Sequence, residues 1–211
     1  VFVKQSLVSH VRDVRWDTIA IGMMGVMGNK GAVVMRMNLF STSLCFVCAH
    51  LAAGRETYEA RNIGYHNITE RAFLMPQKDS SAVDLARPQH MQEQLYLAED
   101  RALTIADHDI VYWLGDFNYR VDISLSREDI FALLDSQDLA TLRSLDQLNI
   151  QRGCGAVFSG FKEGTLTFPP TYKFIAGTDV YDARPDKKLR PPAWCDRVLW
   201  KVNNKAKLSR S

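Results

Sequence analysis

The sequence predicts a mixed α/β fold, and three observations carry that prediction. Strand-like segments alternate with segments of helical spacing along 211 residues. Two early apolar stretches, residues 18–24 and 32–40, flank a glycine-spaced turn and read as an antiparallel pair. Further on, the run Ile110-Val111-Tyr112 reads as a buried strand closed by Gly115, with Asp116 and Asn118 just past its end. In an extended segment those two side chains point the same way, into the crevice beyond a strand end where α/β sheets commonly place their chemistry. An ordinary turn is the alternative reading of Gly-Asp-x-Asn taken by itself.

The elements follow in order. The chain opens Val1-Phe2-Val3-Lys4, which reads as a strand already under way, and residues 201–211 close no element, so the domain is expected to be incomplete at both termini. Residues 43–48 form a further strand that ends at Ala49-His50. Residues 56–74 place Tyr58, Tyr65, Ile68 and Ala72 along one face of a helix. The composition then turns polar and aperiodic over 76–90, which predicts a mobile surface insertion, and a short helix is expected over 91–104. A strand over 109–114 follows. Ser126 can cap the next helix, with Asp129 as a short version of the returning capping-box residue and Ile130, Leu133 and Leu134 as the buried stripe. Leu139, Leu142 and Leu145 continue at helical spacing. A turn at Glu163-Gly164, a loop over 176–192 and a strand over 197–201 complete a single domain across 1–211.

A net charge of +2 is too small for a nucleic-acid partner, which calls for a clearly basic face. Arg184, Lys187, Lys188 and Arg190 form a local basic cluster, read as a solvated loop with an acidic membrane surface as the alternative partner. No apolar run approaches the ~18 residues of a membrane span. Cys45 and Cys48 lie three apart on one strand and so face opposite sides, which excludes a shared metal ion and leaves free thiols of a reducing cytosol.

Four further segments carry charge or donors. In Gly28-Asn29-Lys30-Gly31 the glycines admit an anion to the backbone and the lysine adds a point charge, although a plain hairpin turn accounts for the same residues. His50 stands at a strand's carboxyl end. Lys173, in Pro170-Thr171-Tyr172-Lys173-Phe174, and Arg197, in Ala193-Trp194-Cys195-Asp196-Arg197, come from opposite ends of one long loop. Two cations converging on a carboxylate and a histidine fit a ligand with several phosphates; two surface cations are the simpler alternative.

Taken together, these segments, with Trp113 to Arg120 and Pro192 to Arg197 the most specific, resemble the inositol polyphosphate 5-phosphatases, nearest the branch of the Lowe-syndrome protein and synaptojanin. The resemblance implies a DNase I-like fold of two packed β-sheets flanked by helices. It implies Mg²⁺-dependent removal of the 5-phosphate from phosphoinositide lipids or soluble inositol phosphates, in a cytoplasmic protein peripheral to acidic membranes. By position, Asp116 corresponds to the water-activating carboxylate, Asn118 to a phosphoryl-oxygen contact and His50 to the histidine that bonds the scissile phosphate. Asp196 corresponds to a carboxylate that orients a later histidine. Tyr172, Lys173 and Arg197 correspond to the grip on the neighbouring 4-phosphate, and Asn29 and Lys30 to the inositol-phosphate side of the cleft. The principal glutamate ligand of the metal is expected upstream of Val1, so no metal ligand is assigned within the chain. A catalytically dead phosphoinositide-binding scaffold is the alternative for so short a chain, and a nuclease on the same scaffold is the second.

Overall fold

The computed structural model describes residues 1–22, 29–72, 103–184 and 190–203. Its strands are β1 (Val11–Ala20), β2 (Gly31–Leu39), β3 (Thr42–His50), β4 (Ile110–Asp116), β5 (Lys162–Glu163) and β6 (Asp196–Val202). They form one six-stranded sheet in the order β1-β2-β3-β4-β6-β5. The helices are α1 (Tyr58–Arg71), α2 (Arg127–Asp135), α3 (Leu139–Ser144) and α4 (Gln147–Gly153). Among the described residues no helix is long and apolar enough to cross a membrane.

Side-chain alternation divides the sheet into two unlike faces. Val34, Val47, Trp113 and Leu199 stand in register across four strands, and all are buried. α1 covers this row, with Tyr65 tilted against both Trp113 and Phe158 and Ile68 fully buried. Each large apolar side chain buried here is worth roughly 1.5–3 kcal/mol. The neighbouring row on the opposite face, Val33, Cys48, Leu114 and Val198, is half open, Val33 and Val198 being 49% and 56% exposed. The resemblance implies two packed sheets; the described residues supply one, with its core on a single face. A satellite core of Val121, Ile130, Leu142, Leu166 and Trp194 sits under α2 and α3.

One connection decides where the site lies. β3 and β4 are parallel, so the chain crosses over through α1 between them. The carboxyl ends of both strands therefore meet at one sheet edge, and antiparallel β6 begins there. Backbone bonds stitch the three ends: Leu51 N–H donates to Asp116 O at 3.0 Å and Phe117 N–H to Cys195 O at 2.8 Å. Gly115 makes the close approach possible, because its φ is +125° and a Cβ there would run into the Ala49 carbonyl oxygen.

Several local expectations shift. The strand expected over 18–24 begins at Val11 and ends at Ala20, with a bulge between Arg12 and Arg15 where Asp13 turns to φ +52° and binds Arg36 and Arg15. The opening Val1 to Lys4 forms no strand and leads into a 3-10 helix over Gln5–His10. α1 stops at Arg71, three residues short of the expected end. The leucine pattern over 139–145 belongs to α3, a separate short helix capped by Asp138 with Leu145 just past its end, and α4 follows under its own cap, Asp146. The insertion expected over 76–90, most of the helix expected over 91–104, and the methionine-rich stretch 23–27 lie outside the described residues. Cys45 and Cys48 are free thiols, one buried and one exposed, and burial pushes the Cys45 thiol up to about 12.

Candidate active site

Lys30, His50, Asp116 and Asp196 gather where the three strands meet. Gly31 pairs with His50 in the β2–β3 register, which brings Lys30, just ahead of β2, beside His50. Lys30 Nζ lies 2.8 Å from His50 Nε2, and the same Nε2 lies 3.3 Å from Asp116 Oδ2. An ammonium can only donate, so a bond from Lys30 makes Nε2 an acceptor on a neutral ring, whereas donation to Asp116 forgoes Lys30. One nitrogen cannot serve both, and an anion that drew Lys30 away would free it for Asp116. Asp196 pairs directly with Asp116 across β4 and β6. Partial burial and the Asp116 charge raise the Asp196 carboxyl above its ordinary range, with His50 and Arg120 opposing them. Asn29 is exposed on the turn beside Lys30.

Asn118 reaches the site by a turn, not by the strand alternation expected for it. β4 ends at Asp116, and Asn118 adopts the left-handed conformation, φ +57°, that asparagine tolerates better than most residues. Its backbone N–H donates to Asp116 Oδ1 at 3.0 Å, and its amide nitrogen donates to Leu51 O at 3.1 Å. Arg120 donates from Nη2 to Asn118 Oδ1 at 2.5 Å and from Nε to Asn118 O at 3.2 Å. The face of the same guanidinium lies over the Tyr172 ring, 4.3 Å from its centroid. Tyr172 is fixed in turn by paired backbone bonds with Ala193, three residues before Asp196. Its hydroxyl accepts from Arg190 Nη1 at 2.9 Å. Lys173 follows, half-exposed, its ammonium 3.6 Å from Asp182.

Arg197 is the correction. Alternation along β6 turns it to the face opposite Asp196, into the core, where its guanidinium is fully buried. Nη1 lies 2.8 Å from Asp146 Oδ1, Nε and Nη2 bind Glu163 at 2.6 and 2.8 Å, and Nη2 reaches Asn149 Oδ1 at 3.3 Å. Burial works against this charge, but Asp146 and Glu163 outweigh it and raise the Arg197 pKa. A cation so enclosed cannot grip a ligand. Arg190 stands by Tyr172 instead, although sequence reasoning left it in a solvated basic loop; its place ahead of Pro-Pro-Ala-Trp-Cys-Asp was the available signal. Gln147 was also missed. Its Oε1 accepts from Arg61 Nη2 and from Arg120 N–H, at 2.5 and 2.9 Å, and its Nε2 donates to Arg55 O at 2.7 Å, which clamps the loops after β3 and β4 together.

The adjacent carboxylates Asp116 and Asp196 would welcome a divalent cation. Among the described residues, however, no group of three or more His, Cys, Asp or Glu side chains comes together to hold one. Two carboxylates would leave most of magnesium's octahedral oxygen shell to water and substrate phosphate.

Comparison with known proteins decides the family. Residues 1–210 match Endonuclease/Exonuclease/phosphatase family 2. The chain belongs to this family. Among its relatives, the mouse (Mus musculus) type II inositol 1,4,5-trisphosphate 5-phosphatase is 41% identical over 208 residues, 99% of this chain and 19% of that protein. Rat (Rattus norvegicus) synaptojanin-2 is 40% identical over 200 residues, 95% of this chain and 11% of that protein. A solved family member is the inositol polyphosphate 5-phosphatase domain of SPsynaptojanin, in complex with inositol (1,4)-bisphosphate and calcium ion. It superposes with a TM-score of 0.74 at 36% identity, covering 94% of this chain and 49% of that one. The chain thus spans about half of that domain and a fifth or less of these two curated relatives, and within that span it has the family's mixed α/β architecture.

Proposed function

We propose that this chain contributes the centre of a phosphomonoester hydrolase that removes the 5-phosphate of inositol phosphates or phosphoinositide lipids. The observation that carries the reading is the convergence of Lys30, His50, Asp116 and Asn118 at one sheet edge, with Tyr172 and Arg190 joined to them through Arg120. Water attacks phosphorus directly as its proton passes to Asp116, a positioned base contributing ~10²–10⁴-fold. The bond from phosphorus to the inositol oxygen breaks, the ring oxygen takes a proton from solvent, Asp116 returns its own to solvent, and the products are inorganic phosphate and the ring hydroxyl. The Asn118 amide and His50 bind the non-bridging oxygens of the scissile group, where charge builds up. Tyr172, Lys173 and Arg190 hold a neighbouring ring phosphate, and Asn29 and Lys30 the far side of the ring.

Mg²⁺ is the cofactor proposed on family grounds, and no step above passes through it. On this reading the protein works in the cytoplasm, in peripheral contact with the acidic membranes that carry such lipids. The test is release of inorganic phosphate from inositol 1,4,5-trisphosphate and from phosphatidylinositol 4,5-bisphosphate by the full-length protein. Asp116→Asn is expected to lower turnover at least ~10²-fold while substrate binding, followed by calorimetry, persists. Near-normal turnover in that variant would remove Asp116 from the role of base.

A further inference from the structure

We propose that Arg120 is a positioning residue that ties the orientation of the Asn118 amide to the seating of Tyr172. Through it, the rate of the chemical step depends on whether a ring phosphate is held at Tyr172. The inference rests on the functional reading above for its substrate, but the coupling itself stands on Arg120's own contacts.

The guanidinium uses two of its surfaces at once. Its edge donates to both the side-chain and backbone oxygens of Asn118, while its face carries the Tyr172 ring. It is only 7% exposed, so neither contact is diluted by bulk water. Its backbone is held as well: Arg120 N–H donates to Gln147 Oε1, and Arg120 O accepts from Gln147 N–H at 2.8 Å. With the main chain held, a displacement of the Tyr172 ring moves the guanidinium it lies against, and with it the donors to Asn118.

What is passed on is the direction of a donor. Arg120 binds the Asn118 amide oxygen, and Leu51 O takes one amide hydrogen. A flipped amide would set its NH₂ against the guanidinium and its oxygen against the Leu51 carbonyl, two repulsive contacts in place of two bonds. The flip is thereby disfavoured, and the second amide hydrogen keeps a defined direction. Lysine could not replace this arrangement, since a point ammonium has neither the planar fork nor the stacking face. The Tyr172 hydroxyl, bonded to Arg190, is the point at which a bound phosphate would load the relay.

The test is a double-mutant cycle of Arg120→Lys and Tyr172→Leu, read in two ways. In turnover of inositol 1,4,5-trisphosphate by the full-length protein, each single variant is expected to lower kcat about 100-fold, the scale of a misplaced catalytic contact. KM should stay nearly constant in Arg120→Lys and rise in Tyr172→Leu, which also loses the hydroxyl, while kcat of the double variant should fall no further than that of either single one. Tyr172→Phe keeps the ring on Arg120, and should raise KM while largely sparing kcat. Independently of activity, the Asn118 side-chain amide resonance of the ligand-free chain should shift in Tyr172→Leu, and should not shift further when that change is made in Arg120→Lys. Additive losses in kcat, or an Asn118 resonance indifferent to Tyr172→Leu, would overturn the coupling. If the wild type releases no phosphate while the resonance cycle still shows coupling, the functional reading falls and the positioning role stands.

Discussion

Asp196 and Arg197 are neighbours in sequence, and a strand sends them to opposite faces of the sheet. One joins the carboxylate pair at the site; the other is sealed against Asp146, Glu163 and Asn149. Arg197→Met would leave Asp146, which is fully buried, without its cation, and Glu163 with Arg152 alone. A loss of about 3–5 kcal/mol is expected, as for a buried pair stripped of one partner. Lys173→Met, at a half-exposed cation, should change stability by less than about 0.5 kcal/mol and act mainly through KM. Chemical denaturation and steady-state kinetics on the two variants separate these outcomes, and a KM effect without destabilisation for Arg197→Met would return it to the phosphate grip. His50, Asp116 and Lys30 were singled out in advance by family motifs read in order. Arg120 and Arg190 were not, because an arginine's role depends on which plane and which oxygens its fork meets.

At the scale of elements, legibility follows the strength of local signals. The start of α2 was read correctly from four residues: Ser126 Oγ accepts from Asp129 N–H at 3.0 Å, and the Asp129 carboxylate accepts from Ser126 N–H at 3.0 Å. Ser126→Ala removes that reciprocal cap and is expected to cost about 1 kcal/mol, measurable as a lower denaturation midpoint. A midpoint unchanged within error would make the cap ornamental. β1 was misplaced because Arg12, Asp13 and Arg15 break the alternation at a bulge, so its first half does not read as apolar in either period. β5 was missed since two residues carry no period at all; Lys162 and Glu163 are a strand only because β6 lies beside them.

For the whole molecule, the two sheet faces make opposite predictions. Leu199 is fully buried, in the row with Val34, Val47 and Trp113, and Leu199→Ala is expected to cost about 2–5 kcal/mol through lost burial and the cavity left behind. Its neighbour Val198 is 56% exposed on the other face, and Val198→Ser should cost less than about 0.5 kcal/mol while reducing self-association through that apolar row. Urea denaturation and sedimentation measure the two effects, and comparable stability losses would mean that the outer face is covered in solution. The sequence by itself determined the class of fold, the strand ending in Gly-Asp-Phe-Asn, the cap of α2 and the family, since these rest on residues within a few positions of one another or on motifs read in order. Only the tertiary structure decided that Arg190 and not Arg197 stands by Tyr172, that Arg120 joins Tyr172 to Asn118, and that His50 is shared between Lys30 and Asp116. Those contacts follow from a parallel crossover and from which way each strand's alternation happens to fall at the sheet edge. Both are fixed by packing between segments far apart in the chain, where local spacing carries no information.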